Sequence, residues 1–264
     1  MNSGNDLLRV AAVPVDIAFA DKEANIGAAC RAAESLADGL DIIVLPELYS
    51  TGYVNDAEAM RSLAEPLYGP SVKAALRMAR ACDAAVCGSY VALDDKDGAI
   101  YNRAFFAQPD CEITFYDKRH LFSLSREAQV FGHGRGRVPV MEWRGWRVAM
   151  TVCYDLRFPA WMRNCGYAYD IMLLPANWPQ ARVYALEHLL IARAIENQAP
   201  IVCANRSGSD AYGVYDECSF AFDHMGRPAF IGDTFTAEFS LEALRRSRER
   251  FPAARDADRF TFEL

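Results

Sequence analysis

Residues 146–159 read Trp-Arg-Val-Ala-Met-Thr-Val-Cys-Tyr-Asp-Leu-Arg-Phe-Pro, an apolar run that stops at a thiol. The run from Trp146 to Val152 predicts a buried strand that ends at Cys153. After it, the pattern predicts a short helix, a strand, a long helix and a further strand, at Ala160 to Asn164, Asp170 to Leu174, Tyr184 to Asn197 and Pro200 to Ala204. Strands that alternate with helices in this way are typical of α/β domains.

The first half of the chain repeats this alternation. It predicts strand, helix, strand, helix and strand at Leu8 to Val13, Ala24 to Asp38, Asp41 to Leu45, Ser71 to Cys82 and Ala84 to Val91. Two hairpins are also predicted, joining Tyr101 to Ala107 with Ile113 to Asp117 and Ser219 to Phe222 with Ala229 to Ile231. No linker rich in Gly, Ser or Pro divides the chain, so we expect one domain over residues 1–264. The pattern therefore predicts a mixed sheet, or two packed sheets, covered by helices.

The composition argues against several classes of protein. Of the 264 residues, 52% are hydrophobic, which is enough to bury a sizeable core. No apolar run approaches the roughly 20 residues that span a bilayer, and the polar segment Met1 to Asp6 does not resemble a signal peptide. The net charge of −7 disfavours binding to nucleic acid. We therefore expect neither a membrane nor a nucleic acid partner.

The cysteines indicate a reducing compartment. The chain has eight of them, with no CxxC pair, and they stand mostly among apolar residues, as buried free thiols do. Four scattered histidines show no zinc-ligand spacing, so we expect no metal site. A cytoplasmic location is the simplest expectation.

Three predicted strands end at residues able to do chemistry. Glu47 follows one of them, Lys118 another, and Cys153 the strand quoted above. Ligands of α/β sheets bind at the carboxyl ends of strands, so these side chains can share a site. Each one alone has an ordinary explanation, as a capping carboxylate, a solvated lysine or a buried thiol. The three together, with their flanking residues, favour a catalytic site.

Those flanking residues resemble a known family. Pro46-Glu47, residues 116–122 (Tyr-Asp-Lys-Arg-His-Leu-Phe) and residues 153–159 look like the three catalytic signatures of the nitrilase superfamily of carbon–nitrogen hydrolases. The resemblance covers nearly the whole chain, since it continues at 174–179, 192–197 and 251–260. It implies a four-layer α-β-β-α sandwich with mixed sheets, and a homodimer, because members commonly pair through helices next to the nucleophile.

The resemblance also implies a mechanism. Cys153 would attack the carbonyl carbon of an amide and form a thioester, with Glu47 as general base. A thiol with a pKa near 8.5 needs such a base at pH 7, and burial should raise the pKa of that carboxylate to suit the task. Lys118 and the backbone N–H of Tyr154 would stabilise the oxyanion. Glu127 is the candidate for the family's second glutamate, although a solvated loop carboxylate remains an alternative. No cofactor is implied.

Within the superfamily, the motifs look closest to the ω-amidase branch, whose members hydrolyse the terminal amide of 2-oxoglutaramate or 2-oxosuccinamate. Such an anionic substrate needs a cation, for which Arg182 is the candidate. Trp178 and Tyr90 are candidates for pocket walls, and Asp155 and Arg157 for a structural charge pair that holds the turn after the nucleophile. Two alternatives stay open: another amidase or N-carbamoyl hydrolase, and a catalytically silent binding protein on the same fold.

Overall fold

The computed structural model describes residues 6–36, 39–53, 56–216, 218–232, 234–258 and 260–262. Its strands, in chain order, are β1 (Leu7–Ala12), β2 (Ile42–Val44), β3 (Ala85–Leu93), β4 (Ile100–Ala107), β5 (Ile113–Asp117), β6 (Val140–Trp143), β7 (Trp146–Met150), β8 (Ile171–Ala176), β9 (Ile201–Asn205), β10 (Gly208–Asp210), β11 (Gly213–Tyr215), β12 (Phe220–Phe222) and β13 (Thr236–Ser240). The α-helices are α1 (Lys22–Leu36), α2 (Ala57–Ser62), α3 (Pro70–Cys82), α4 (Glu127–Val130), α5 (Val183–Asn197) and α6 (Leu241–Arg250).

The strands form two large sheets and one small hairpin. The first sheet has the order β13-β1-β2-β3-β4-β5, and the second has the order β12-β9-β8-β7-β6. In each sheet the central strands are parallel, β1 to β3 in the first and β7 to β9 in the second, while the outer strands are antiparallel. The third sheet is the hairpin β10–β11. The predicted mixed sheets are therefore confirmed.

Alternating side chains of the first sheet fill two cores. Val10 and Ile42 point toward the second sheet and pack in one core with residues such as Val148 and Val202. Their neighbours along each strand point the other way, so that Ala11 and Ile43 pack in a second core with α1 and α3. Helix α5 covers the far side of the second sheet through Leu186, Leu190 and Ala194. The layers are thus helix, sheet, sheet and helix, which confirms the predicted sandwich.

Most predicted elements match within a few residues, and two do not. The predicted helix at Ala24 to Asp38 is α1, and its last two residues, 37 and 38, lie outside the described residues. The predicted helix at Ala160 to Asn164 is wrong. The chain turns there because the backbone N–H of Asn164 donates to Asn197 Oδ1 at 2.9 Å and is not available to the Ala160 carbonyl, as a helix would require.

The second predicted hairpin forms only in part. β12 pairs with β9, while Phe222 makes only an isolated bridge to Pro228. Proline has no N–H to donate, so a regular ladder cannot extend through that position. Arg259, which belongs to the closing segment of the resemblance, lies outside the described residues. In the part of the chain that is described, no helix is both long enough and apolar enough to cross a bilayer.

Candidate active site

The ends of strands from both large sheets meet at one buried cluster. Glu47 follows β2 and Lys118 follows β5 in the first sheet, whereas Cys153 follows β7 in the second. Lys118 Nζ lies 2.7 Å from Glu47 Oε1 and 2.6 Å from Glu127 Oε1. All four side chains are buried. The structure therefore brings together the four residues to which the resemblance assigns catalysis.

Glu127 is held on two sides. One carboxylate oxygen accepts from Lys118, and the other accepts from the backbone N–H of Phe122 at 2.5 Å. The residue begins the short helix α4 and is 3% exposed. The alternative of a solvated loop carboxylate therefore does not describe it.

Cys153 occupies a strained turn. Its φ of +42° is in the left-handed region, which non-glycine residues rarely adopt and which costs of order 1–3 kcal/mol. The residue begins a 3₁₀-helix, Cys153–Arg157, which follows β7 of the second sheet after two residues. The Asp155 carboxylate holds this turn by accepting from the backbone N–H of Val152 at 3.1 Å and from the Tyr116 hydroxyl at 2.8 Å. The turn presents the thiol to a pocket.

The predicted charge pair between Asp155 and Arg157 is wrong. Asp155 is fully buried, and its Oδ1 lies 2.7 Å from His120 Nδ1 instead. Arg157 is exposed, and its guanidinium lies 5.0 Å from the centre of the Trp178 ring. A 3₁₀-helix has three residues per turn, so residues two apart face different directions.

The main pocket, which opens over the cluster, has a volume of about 240 Å³. Glu47, Lys118, Glu127 and Cys153 line it, and so do Tyr154, Asn177, Arg182 and several aromatic residues: Tyr53, Phe122, Tyr212 and Tyr215. A side recess of about 50 Å³ adjoins it, and its lining residues include Cys153, Asn177, Trp178, Arg157 and Arg182. A larger cavity of about 580 Å³, beside the C-terminal segment, contains none of the four clustered residues.

Burial and the charges within the cluster together set its protonation. It raises the pKa of Glu47, although the Lys118 charge acts in the opposite direction. Burial lowers the pKa of Lys118, but the two carboxylates outweigh it, and the net result is a pKa well above the usual value. Burial and the Glu47 charge together raise the pKa of the Cys153 thiol. The resting cluster therefore pairs a protonated thiol with a strengthened base.

Asn102 belongs to the site but was not predicted from the sequence. This residue of β4 is fully buried, and its Nδ2 donates to Glu47 Oε1 at 2.7 Å. Asn102 and Arg103 precede the apolar run of β4, and a polar side chain inside a predicted strand is the signal that could have identified Asn102, since buried polar groups have partners.

The predicted substrate-binding residues lie in three different places. Arg182 is at the mouth of the main pocket, with its guanidinium 4.8 Å from the centre of the Phe122 ring. Trp178 is buried beside it, lines only the side recess and donates its indole N–H to the Arg182 carbonyl. Tyr90 does not reach either space. It lies in the core between the first sheet and α1 and α3, near Phe105, because its position along β3 turns it to that face.

Similarity to known proteins agrees with this arrangement. A family model for carbon–nitrogen hydrolases matches residues 9–250. The chain belongs to the carbon–nitrogen hydrolase family. It is 40% identical to Omega-amidase YafV of Escherichia coli (strain K12), over 96% of this chain and 98% of that protein. It is also 30% identical to 2-oxoglutaramate amidase of Bacillus subtilis (strain 168), over 94% of this chain and 96% of that protein.

Solved structures of the family share the fold. XC1258 of Xanthomonas campestris, described as a CN-hydrolase superfamily protein with an arsenic adduct in the active site, superposes with a TM-score of 0.90 at 36% identity, over 97% of this chain and 99% of that one. Nit3 of Saccharomyces cerevisiae, a nitrilase superfamily member, has a TM-score of 0.81 at 23% identity, over 94% and 95% of the two chains. The family assignment made from the motifs is therefore confirmed.

Proposed function

We propose that this chain is an ω-amidase, which hydrolyses the terminal carboxamide of a small 2-oxo acid amide such as 2-oxoglutaramate or 2-oxosuccinamate. The observation that carries the proposal is the cluster of Cys153, Glu47, Lys118 and Glu127 at the base of one pocket. The similarity to an ω-amidase and a 2-oxoglutaramate amidase supports this substrate. A volume of about 240 Å³ is below the range of drug-sized sites and suits a small molecule.

The reaction begins with proton transfer from the Cys153 thiol to Glu47. The sulfur forms a bond to the amide carbon, and the carbonyl oxygen becomes an oxyanion that Lys118 Nζ and the backbone N–H of Tyr154 stabilise. Glu47 then gives its proton to the leaving nitrogen, the C–N bond breaks, and ammonia departs. Glu127 holds Lys118 in position and orients the substrate amide.

The second half of the reaction removes the acyl group from sulfur. Glu47 takes a proton from a water molecule, whose oxygen bonds to the thioester carbon. When the C–S bond breaks, the proton returns to the sulfur of Cys153 and the carboxylic acid is released. A base with a raised pKa suits both half-reactions, because it must accept and return a proton near neutral pH.

Arg182 is the proposed partner of the substrate carboxylate. It lies at the mouth of the main pocket and also lines the side recess. A guanidinium can bind a carboxylate through two parallel hydrogen bonds, so it would fix the end of the substrate remote from Cys153. The indole N–H of Trp178 donates to the backbone carbonyl of Arg182 and helps to hold this residue in place.

The experiment is ammonia release from a panel: 2-oxoglutaramate, 2-oxosuccinamate, glutamine, asparagine, an N-carbamoyl amino acid and propionamide. We expect the two 2-oxo amides to have the highest kcat/KM. Preference for the N-carbamoyl compound would show that the proposed substrate is wrong, while the assignment of the catalytic residues would stand. Ammonia release from no member would contradict the proposal and favour a silent binding protein, which the joint presence of all four clustered residues argues against.

We further propose that the chain acts as one domain and forms a homodimer in the cytoplasm. Tyr184 and Ile195 leave an apolar stripe exposed on α5, and Met225 extends it. All eight cysteines are free thiols, which suits a reducing compartment. Light scattering should give twice the chain mass of 29.4 kDa, and Ile195→Arg should lower it to the single-chain value. A single-chain mass for the unmodified protein would contradict the dimer.

A further inference from the structure

Asn177 has a buried side-chain amide whose hydrogen bonds the protein does not make. Its Nδ2 and Oδ1 are both buried, and neither has a hydrogen-bond partner among the described residues. The residue directly follows β8 and lines both the main pocket and the side recess, beside Cys153 in each case. A buried amide that lacks its hydrogen bonds is a cost to the folded protein.

Neighbouring amides behave differently. Asn205 Oδ1 accepts from the Trp178 backbone N–H at 2.8 Å, and Asn205 Nδ2 donates to the Trp178 carbonyl at 3.0 Å. Asn164, remote from the pocket, is also bonded through both its amide atoms, to the backbone of Tyr169 and Asn197. Asn102 Oδ1 also lacks a partner, but Asn102 Nδ2 donates to Glu47; among the buried amides of the described residues, Asn177 alone is unpaired at both its nitrogen and its oxygen.

The backbone of Asn177 is also part of the site. Its N–H donates to the Cys153 sulfur and lowers the pKa of that thiol, against the larger effect of burial. This contact fixes the residue beside the nucleophile, so a molecule bonded to Cys153 has its reacting group within reach of the side chain. An amide offers one acceptor and two donors, and exchanging its oxygen and nitrogen in the structure would leave both atoms equally unpaired.

We propose that Asn177 is a specificity-determining residue that binds the substrate at two points, an inference that rests on the proposed amidase function. Oδ1 accepts an N–H of the scissile carboxamide, and Nδ2 donates to a second oxygen of the substrate, the 2-oxo group or the carboxylate. A 2-oxo acid amide satisfies both atoms. An aliphatic amide satisfies only the acceptor and leaves a buried donor unpaired. The site should therefore discriminate against simple amides, because the buried Nδ2 donor stays without an acceptor when such an amide is bound.

The test compares Asn177→Leu and Asn177→Ala with Asn164→Leu, in which a fully bonded buried amide is replaced. For each variant we would measure the thermal midpoint and kcat/KM for 2-oxoglutaramate and propionamide. The Asn177 variants should keep or raise the midpoint, because no protein hydrogen bond is lost, whereas Asn164→Leu should lower it. The Asn177 variants should lose about a hundredfold in kcat/KM for 2-oxoglutaramate and about tenfold for propionamide.

Two results would overturn the inference. One is a loss of thermal stability in both Asn177 variants that matches Asn164→Leu, which would make the amide structural. The other is an equal loss of kcat/KM on both substrates, which would show that Nδ2 does not bind a second oxygen of the substrate. Failure of the amidase proposal would look different, as absence of ammonia from the unmodified protein. In that case, titration of 2-oxoglutaramate into Cys153→Ala and Cys153→Ala/Asn177→Leu still tests whether Asn177 binds this molecule. Equal affinities of the two variants would refute the contact.

Discussion

Replacing Lys118 with methionine should make the stability of the protein strongly dependent on pH. The substitution removes the cation that lies 2.7 Å from Glu47 and 2.6 Å from Glu127, and leaves two buried carboxylates facing one methyl group. Removing one partner of a buried ion pair costs about 3–5 kcal/mol. Holding one glutamate protonated at pH 7 costs about 3.7 kcal/mol, because its ordinary pKa is near 4.3. The substitution should therefore lower the free energy of unfolding by about 4 kcal/mol at pH 7.

The sign follows from the proton that the folded variant binds. Without the cation, the pKa of Glu47, which burial already raises, moves further above its value in the unfolded chain. Stability is then fully present below about pH 4 and is lost as the pH rises through the folded-state values. For each extra proton held by the folded variant, the free energy of unfolding should fall by about 1.4 kcal/mol per pH unit relative to the unmodified protein.

Urea unfolding at pH 6, 7 and 8 measures this difference. The controls are Lys96→Met, which removes an exposed lysine, and Lys118→Met/Glu127→Gln, which leaves one buried carboxylate still bonded to Asn102. The first control should follow the unmodified protein, and the second should show a smaller slope than the single variant. If the curves of Lys118→Met and the unmodified protein run parallel, the reasoning about the buried charges is wrong.

Three further predictions concern single positions. Asn102→Leu removes a hydrogen bond to the charged form of Glu47, so the acid limb of the kcat/KM profile should move up by about 0.5–1 pH unit, and an unchanged limb would contradict this. Cys153→Ala should lower turnover at least about a thousandfold with little change in thermal midpoint, whereas substantial ammonia release would exclude the nucleophile. Gly134→Ala would place a methyl group 1.9 Å from the Asp117 carbonyl and should cost about 1–3 kcal/mol or more, while Gly136→Ala, with open space around it, should cost little; equal urea midpoints would refute the contact.

Local sequence patterns predicted most of the strands and helices of the fold. The apolar runs that stop at Pro46 and Pro175 correspond to β2 and to a slightly longer β8, and the three strand ends named from the sequence do meet. Periodicity and strand length are local properties, so they can be read directly along the chain. The motifs added the four-layer order, which no local pattern contains.

Contacts between distant segments were not predictable in this way. Asn102 and Glu47 are 55 residues apart and meet only because β4 and β2 share a sheet. Tyr90 was misplaced because a strand position shifted by one residue exchanges the pocket side for the helix side. The aromatic pocket residues Tyr212 and Tyr215 come from the hairpin β10–β11, whose short strands have no distinctive pattern.

The pairing of β13 with β1 has a consequence for synthesis. Leu7 lies opposite Ser240, so β1 leaves the ribosome long before β13, its neighbour on that side. Until then the nascent protein carries an open strand edge, which other chains can join. Chains released before Thr236 would keep that edge permanently. During translation, this open edge of β1 is the surface that a chaperone would have to cover.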